Sequence, residues 1–247
     1  MIDPQRLIKK CAGLGLSLSA EQARLLDRYA ELLVETNRRI NLTAITGPEE
    51  IEDKHFIDSL LLAAQPEIAG QVVDVGSGAG FPGLVAKIYK PEIALTLMEP
   101  TGKRLDFLRY AAAQLGLAGV EFAKERAEEA ARKGWREQFD AATARAVAAL
   151  PALAEYCLPL VRVGGSFLAM KGASGPAEAD AARAAAQTLG AGGADLRKAN
   201  LPGGDERWLV VYQKHIATPA VYPRAGGKIA KAPLLKQPSP GRGRHGL

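Results

Sequence analysis

Apolar positions recur along the chain in two rhythms. In the first quarter they follow helical spacing. Leu25, Leu26, Tyr29, Leu32 and Leu33 form one face, as expected of a helix that packs against a core. Ser19-Ala20-Glu21-Gln22 reads as the capping box that opens it. The basic, turn-prone stretch from Asn37 to Thr43 ends it. A second helix is predicted to begin near Pro48, with Glu49 and Glu50 in its first turn. After residue 70 the rhythm changes to short apolar runs alternating with helical stretches. Residues 72–75, 93–98, 120–122, 139–147 and 165–170 predict parallel strands; 84–89, 101–116, 153–160 and 177–189 predict helices. Residues 209–212 predict a further strand, antiparallel and paired with one from 193–199. This alternation implies an α/β fold with a doubly wound, mostly parallel sheet, whose ligands bind at the carboxyl ends of the strands.

The 247 residues suit one such domain with appendages. The expected division is an N-terminal helical extension at 1–68, a Rossmann-like domain at 69–216 and a C-terminal arm at 217–247. An apolar content of 47% with 24% charged residues is ordinary for a soluble globular protein. No apolar run approaches the roughly 18 residues of a membrane span. Met1-Ile2-Asp3-Pro4 offers no signal core, and Cys11 and Cys157 stand far apart. A cytoplasmic protein without metal or disulfide is therefore expected. The net charge of +5 is uneven: from Lys214 onward there are seven Lys or Arg and no Asp or Glu. A basic arm of this kind suits phosphate binding and steering towards nucleic acid. As a free arm, its removal should weaken RNA binding and leave cofactor binding intact.

The chemistry concentrates in Val72-Val73-Asp74-Val75-Gly76-Ser77-Gly78-Ala79-Gly80-Phe81-Pro82-Gly83. Glycines let a turn take positive φ and approach a ligand closely, and a helix opening after the turn aims free N–H groups at it. A dinucleotide fingerprint needs glycine where Phe81 stands. The observed D-x-G-x-G-x-G pattern instead resembles the nucleotide loop of class I S-adenosylmethionine-dependent methyltransferases. Glu99 ends the next predicted strand, 23 residues past Gly76, near the spacing at which an acid receives ribose hydroxyls. Arg126 to Glu128, Arg145 and Lys171 end later strands and complete a site.

Lys54, His55, Asp58 and Ser59 invite a hydrolase reading. However, triad members crowded on one helix do not converge as separate elements do, and a G-x-S-x-G elbow is missing. A helix-surface network, with Lys54 paired to Asp58, is the expectation.

Several further motifs act together: Asn41-Leu42-Thr43-Ala44-Ile45, Lys54-His55-Phe56-Ile57-Asp58-Ser59-Leu60, Lys103-Arg104-x-x-Phe107-Leu108, Arg145-Ala146, Met170-Lys171-Gly172 and Tyr222-Pro223-Arg224. With the glycine loop they resemble the bacterial 16S ribosomal RNA guanine-N7 methyltransferase family, formerly called glucose-inhibited division protein B. The resemblance runs from about residue 20 to the C-terminus; the Ala- and Gly-rich stretch 173–200 looks specific to this chain. It implies S-adenosylmethionine as methyl donor and a guanine in the decoding-region loop of small-subunit rRNA as acceptor. Cofactor contacts are then expected at Asp74, Gly76, Ser77, Gly78, Gly80, Phe81, Glu99, Pro100, Thr101, Ala127, Glu128 and Arg145. Arg145 and Lys171 are expected to orient substrate or cofactor. RNA contacts are expected at Arg38, Arg39, Lys54, His55, Tyr222, Arg224, Lys228, Lys231 and Lys236. The expected partner is 16S rRNA in the small ribosomal subunit, with no membrane and a monomeric chain. A methyltransferase for another RNA, a non-catalytic rRNA-binding assembly factor and a nicotinamide-dependent oxidoreductase are the rival readings.

Overall fold

The computed structural model describes residues 1–234; Lys236 lies outside the described residues. Two helices lead, α1 (Pro4–Gly13) and α2 (Ala20–Asn37). Asp3 caps the first by accepting from the amides of Gln5 and Arg6. The expected capping box opens the second, with the Ser19 hydroxyl and the Gln22 side chain both engaged. A continuous helical rod follows: α3 (Pro48–Glu50), a π-helical segment (Ile51–Ile57) and α4 (Asp58–Ala63).

The α/β unit then alternates as predicted: β1 (Gln71–Val75), α5 (Gly83–Tyr89), β2 (Ala94–Met98), α6 (Gly102–Gln114) and β3 (Val120–Ala123). The second half runs α7 (Ala127–Ala130), β4 (Phe139–Arg145), α8 (Leu150–Cys157), β5 (Val161–Lys171) and α9 (Gly175–Thr188). The antiparallel hairpin β6 (Asp195–Asn200) and β7 (Glu206–Gln213) follows, then the short α10 (Gly226–Lys231). The strand order is β3-β2-β1-β4-β5-β7-β6. All neighbours are parallel up to β5, and β7 pairs antiparallel with both β5 and β6. The order reverses between β1 and β4, so the crevice at the carboxyl ends of these two strands is where this topology places ligands.

One apolar cluster joins α1, α2, the π segment, α5 and α6 to one sheet face. A second cluster packs α7, α8 and α9 on the other. The N-terminal helices thus share a core with the sheet. Among the described residues no helix is long and apolar enough to cross a membrane.

The π segment corrects the expected surface network. Lys54 pairs with Glu50 at 2.8 Å and not with Asp58, because the Asp58 carboxylate is taken by Arg145 and Arg207. Asp58 turns inward and is 4% exposed. The Ser59 hydroxyl is buried without a hydrogen-bond partner among the described residues. On the other side of the rod, fully buried Glu52 takes Arg6 at 2.7 Å and Lys10 at 3.1 Å, which ties the segment to α1.

Candidate functional site

Asp74 shapes the turn after β1 from beneath. It is fully buried. Its Oδ2 accepts the Gly83 amide at 3.1 Å and its Oδ1 the Thr143 hydroxyl at 2.9 Å. The Ser77 hydroxyl donates to the Asp74 carbonyl at 2.8 Å. Burial pushes the Asp74 carboxyl up to about 6, against the pull of the Thr143 and Gly83 hydrogen bonds. A Cβ on Gly83 would stand 2.7 Å from the Asp74 carboxylate, so the glycine of the Phe-Pro-Gly triplet serves close packing of helix on strand. The peptide between Phe81 and Pro82 is cis. Thr101 is the N-cap of α6, yet its side chain makes no capping bond. Its amide instead donates to Glu99 Oε1 at 2.8 Å, while the Gly78 amide donates to Glu99 Oε2 at 3.0 Å. Glu99 therefore fastens the glycine turn to the end of β2.

Above these strand ends lies a cleft of about 400 Å³. Gly76, Met98, Pro100, Ala127, Glu128 and Tyr156 are among its lining residues. Gly76 has φ +68°, and a Cβ there would meet a methyl group of Val147 at 2.7 Å, so a larger residue would be strained and would displace that side chain. The volume suits a small ligand, and the mostly apolar lining with acids at one side suits a base and polar groups. These residues fit S-adenosylmethionine. Of the expected cofactor contacts, Gly76, Pro100, Ala127 and Glu128 line the cleft. Asp74, Ser77, Gly78, Gly80, Phe81, Glu99 and Thr101 are not among its lining residues, and Arg145 lines a neighbouring cleft instead.

A second cleft, of about 470 Å³, includes Ile45, Lys54, His55, Asp58, Arg145, Lys171 and Arg207 in its wall. The two share the chain after β4: Arg145 and Ala146 line this one, Val147 to Ala149 the first. Ala146 at the junction has φ +55°, a left-handed conformation that costs a non-glycine residue about 1–2 kcal/mol.

Arg145 is the centre of the second cleft. It donates to the Lys54 carbonyl at 2.9 Å and contacts Asp58 Oδ2 at 3.3 Å. Its Nη2 donates to His55 Nδ1 at 3.2 Å. That leaves the His55 proton on Nε2, which donates to the Thr43 hydroxyl at 2.9 Å. The Thr43 backbone is held in turn by Asn37, so the Asn-Leu-Thr-Ala-Ile motif is a brace that delivers Ile45 to the cleft. Burial, then the Arg145 charge, pushes His55 down to about 3. Arg207 donates to Asp58 Oδ1 at 3.1 Å, and burial raises the Asp58 carboxyl although both guanidinium groups pull it down. Lys171 pairs with Glu178 at 2.8 Å and donates to the Ala148 carbonyl.

The residues expected to meet RNA fall in different surroundings. Arg38 and Arg39 are exposed at the end of α2, and Lys228 and Lys231 on α10. Lys54 is half-buried and paired with Glu50. His55 is 6% exposed and stacked on Phe81, with 4.3 Å between ring centroids. Tyr222 is half-buried. Arg224 is locked onto buried Glu155, its Nη2 2.7 Å from Oε2. Arg207, Tyr156, Ala230 and Pro233 escaped sequence reasoning. Arg207 lies two residues before the predicted strand 209–212, which in fact begins at Glu206, and the others carry no motif.

Residues 22–202 match the family model described as rRNA small subunit methyltransferase G. The chain is 48% identical over 224 residues to the ribosomal RNA small subunit methyltransferase G of Moorella thermoacetica, covering 89% of this chain and 93% of that protein. It is 44% identical to the protein of the same name from Exiguobacterium sibiricum, covering 94% and 100%. Among solved structures, a predicted O-methyltransferase from Agrobacterium tumefaciens shares the fold at TM-score 0.53 and 19% identity, over 67% of this chain and 82% of that one. The S-adenosylmethionine-dependent methyltransferase SibL does so at TM-score 0.53 and 16% identity, over 80% and 74%.

Proposed function

The chain belongs to the rRNA small subunit methyltransferase G family, and from that premise we propose that it methylates N7 of a specific guanine in the decoding-region loop of 16S rRNA. S-adenosylmethionine, held in the cleft over Gly76, supplies an electrophilic methyl group. The adjoining cleft around Arg145 takes the guanine, so that donor and acceptor meet across residues 145–149. Arg38, Arg39, Lys228 and Lys231 supply exposed cations for RNA phosphates, and the protein works as a monomer.

The observation that carries the N7 assignment is the absence of an available base. Among the described residues lining the second cleft, Asp58 is the one carboxylate, and both its oxygens face guanidinium groups. His55 is held neutral with Nδ1 facing a donor and Nε2 donating. An exocyclic amine or a hydroxyl would need to lose a proton during transfer. Guanine N7 carries a free lone pair at neutral pH and needs no such help. Catalysis then rests on proximity and alignment, which a preformed pair of clefts supplies. Each cation of this cleft also has a carboxylate partner: Lys54 has Glu50, Arg145 and Arg207 have Asp58, Lys171 has Glu178. That pairing limits repulsion as positive charge develops on the methylated guanine.

The test is transfer of labelled methyl from S-adenosylmethionine to small-subunit rRNA, followed by chain scission at N7-methylguanosine to map the base. Label at one guanine N7 in the decoding-region loop is the expected result. Label on another RNA, or on another atom of the base, overturns the assignment. Tight RNA binding without transfer would favour an assembly factor.

A further inference from the structure

The C-terminal segment is built into the molecule next to the first cleft. It departs from β7 at Lys214, whose ammonium is fully buried and donates to Glu137 and to the Leu158 and Val161 carbonyls. Arg136 then donates to the carbonyls of Thr218 and Tyr222, and Arg132 to that of Pro223 at 2.9 Å. Glu155 of α8, fully buried, accepts the backbone amide of Arg224 at 2.8 Å and grips its guanidinium at Nε and Nη2. The same helix supplies Ala152 and Tyr156 to the cleft lining. Beyond Arg224 the chain passes so close to Glu128 that a Cβ on Gly226 would stand 2.0 Å from its Oε1. Ile229 is fully buried and seats α10. Ala230 and Pro233 then complete the lining of the cleft itself.

We infer that residues 217–234 form the outer wall of the S-adenosylmethionine site, and that Ala230 is a contact residue of the cofactor. The inference rests on the methyltransferase reading above. A free arm has no reason to bury a carboxylate against its own arginine, since taking such a pair out of water strips both charges of their hydration. Here that pair fixes the segment one helix turn from the cleft. Along this six-residue helix Ile229 is the buried position, and Lys228, Ala230 and Lys231 are exposed, with Ala230 among the residues that line the cleft. The small side chain at 230 leaves the cleft open where a large one would fill it. This reverses the expectation for a free arm, because removing the segment would strip the cofactor site of a wall.

Binding of S-adenosylhomocysteine to the full chain, followed by calorimetry and by amide hydrogen exchange, tests the inference. In the unaltered protein the ligand should slow exchange at residues 225–232. Ala230→Trp should weaken binding about tenfold or more, with the melting temperature of the ligand-free protein unchanged. Unchanged exchange in the segment, or unchanged affinity in Ala230→Trp, overturns the inference. Should Ala230→Trp fail to fold, the exchange measurement on the unaltered chain decides alone. Failure of the unaltered chain to bind S-adenosylhomocysteine would instead remove the methyltransferase reading.

Discussion

The Arg145 guanidinium lies over the Phe81 ring, 4.9 Å from its centroid. On the same ring His55 stacks at 4.3 Å with an interplanar angle of 17°, and Tyr29 and Phe56 pack at its sides. Phe81 is thus the mechanical joint between the glycine turn and the cleft assigned to guanine. A desolvated cation–π contact contributes on the order of 2 kcal/mol, and the ring's burial adds more. Phe81→Ala should lower unfolding free energy by about 3–5 kcal/mol and weaken S-adenosylhomocysteine binding as well. Denaturant unfolding with calorimetry checks both. A stable variant with intact affinity would mean that the joint carries no load.

Besides this ring packing, one hydroxyl of the N-terminal helices reaches the glycine turn directly. Tyr29, fully buried, donates to the Ala79 carbonyl inside the glycine turn. Tyr29→Phe leaves that buried carbonyl without its partner and should cost about 1–3 kcal/mol. Faster amide exchange in the turn is expected alongside. Equal stability of the two proteins by urea titration would contradict the role.

At Gly76, alanine must adopt φ near +68° with its Cβ 2.7 Å from Val147. The backbone conformation alone costs about 1–2 kcal/mol. Gly76→Ala should therefore reduce S-adenosylhomocysteine affinity about tenfold while leaving the far-ultraviolet dichroism native. Unaltered affinity would remove Gly76 from the cofactor site.

Two buried groups set opposing pH dependences. The folded state holds His55 at about 3, against 6.5 for the free side chain. The unfolded chain binds that proton more readily, so the stability tied to neutral His55 is present above about pH 6.5 and lost as pH falls towards 3. Asp74 is raised to about 6 from 3.8; its stability is present below 3.8 and lost as pH rises through 6. Between about pH 4 and 6 the two slopes offset each other. His55→Asn removes the first and should gain stability on acidification across that interval, relative to the unaltered protein. Parallel pH profiles in urea unfolding would refute the balance.

Asp58 joins Arg145 and Arg207 across sequence separations of 87 and 149 residues. Asp58→Asn leaves two guanidinium groups around a neutral amide, and breaking a buried pair costs about 3–5 kcal/mol. Methyl transfer to rRNA should fall by about tenfold or more, with S-adenosylhomocysteine affinity retained. A parallel loss of both would place Asp58 in service of the cofactor cleft.

The readable part of this protein is local. Alternating apolar runs are set by neighbours along the chain, and they specified the α/β order, the antiparallel final pair and the capping box at Ser19. Glycines after an apolar strand likewise marked the sharp turn after β1, where Gly76, Gly78 and Gly80 take positive φ, because that steric demand acts within a few residues. Side-chain partners across the fold left no such trace. Whether Lys54 meets Glu50 or Asp58 depends on Arg145 and Arg207, distant in sequence, which take the Asp58 carboxylate. Whether Asp74 touches a ligand or lies beneath the turn depends on how closely α5 approaches β1. The basic composition of the terminus marked its charge but could not reveal that Glu155 captures Arg224 or that Ala230 reaches a cleft. Those outcomes are decided where elements distant in sequence meet, since burial and pairing belong to the assembled core and not to any one segment.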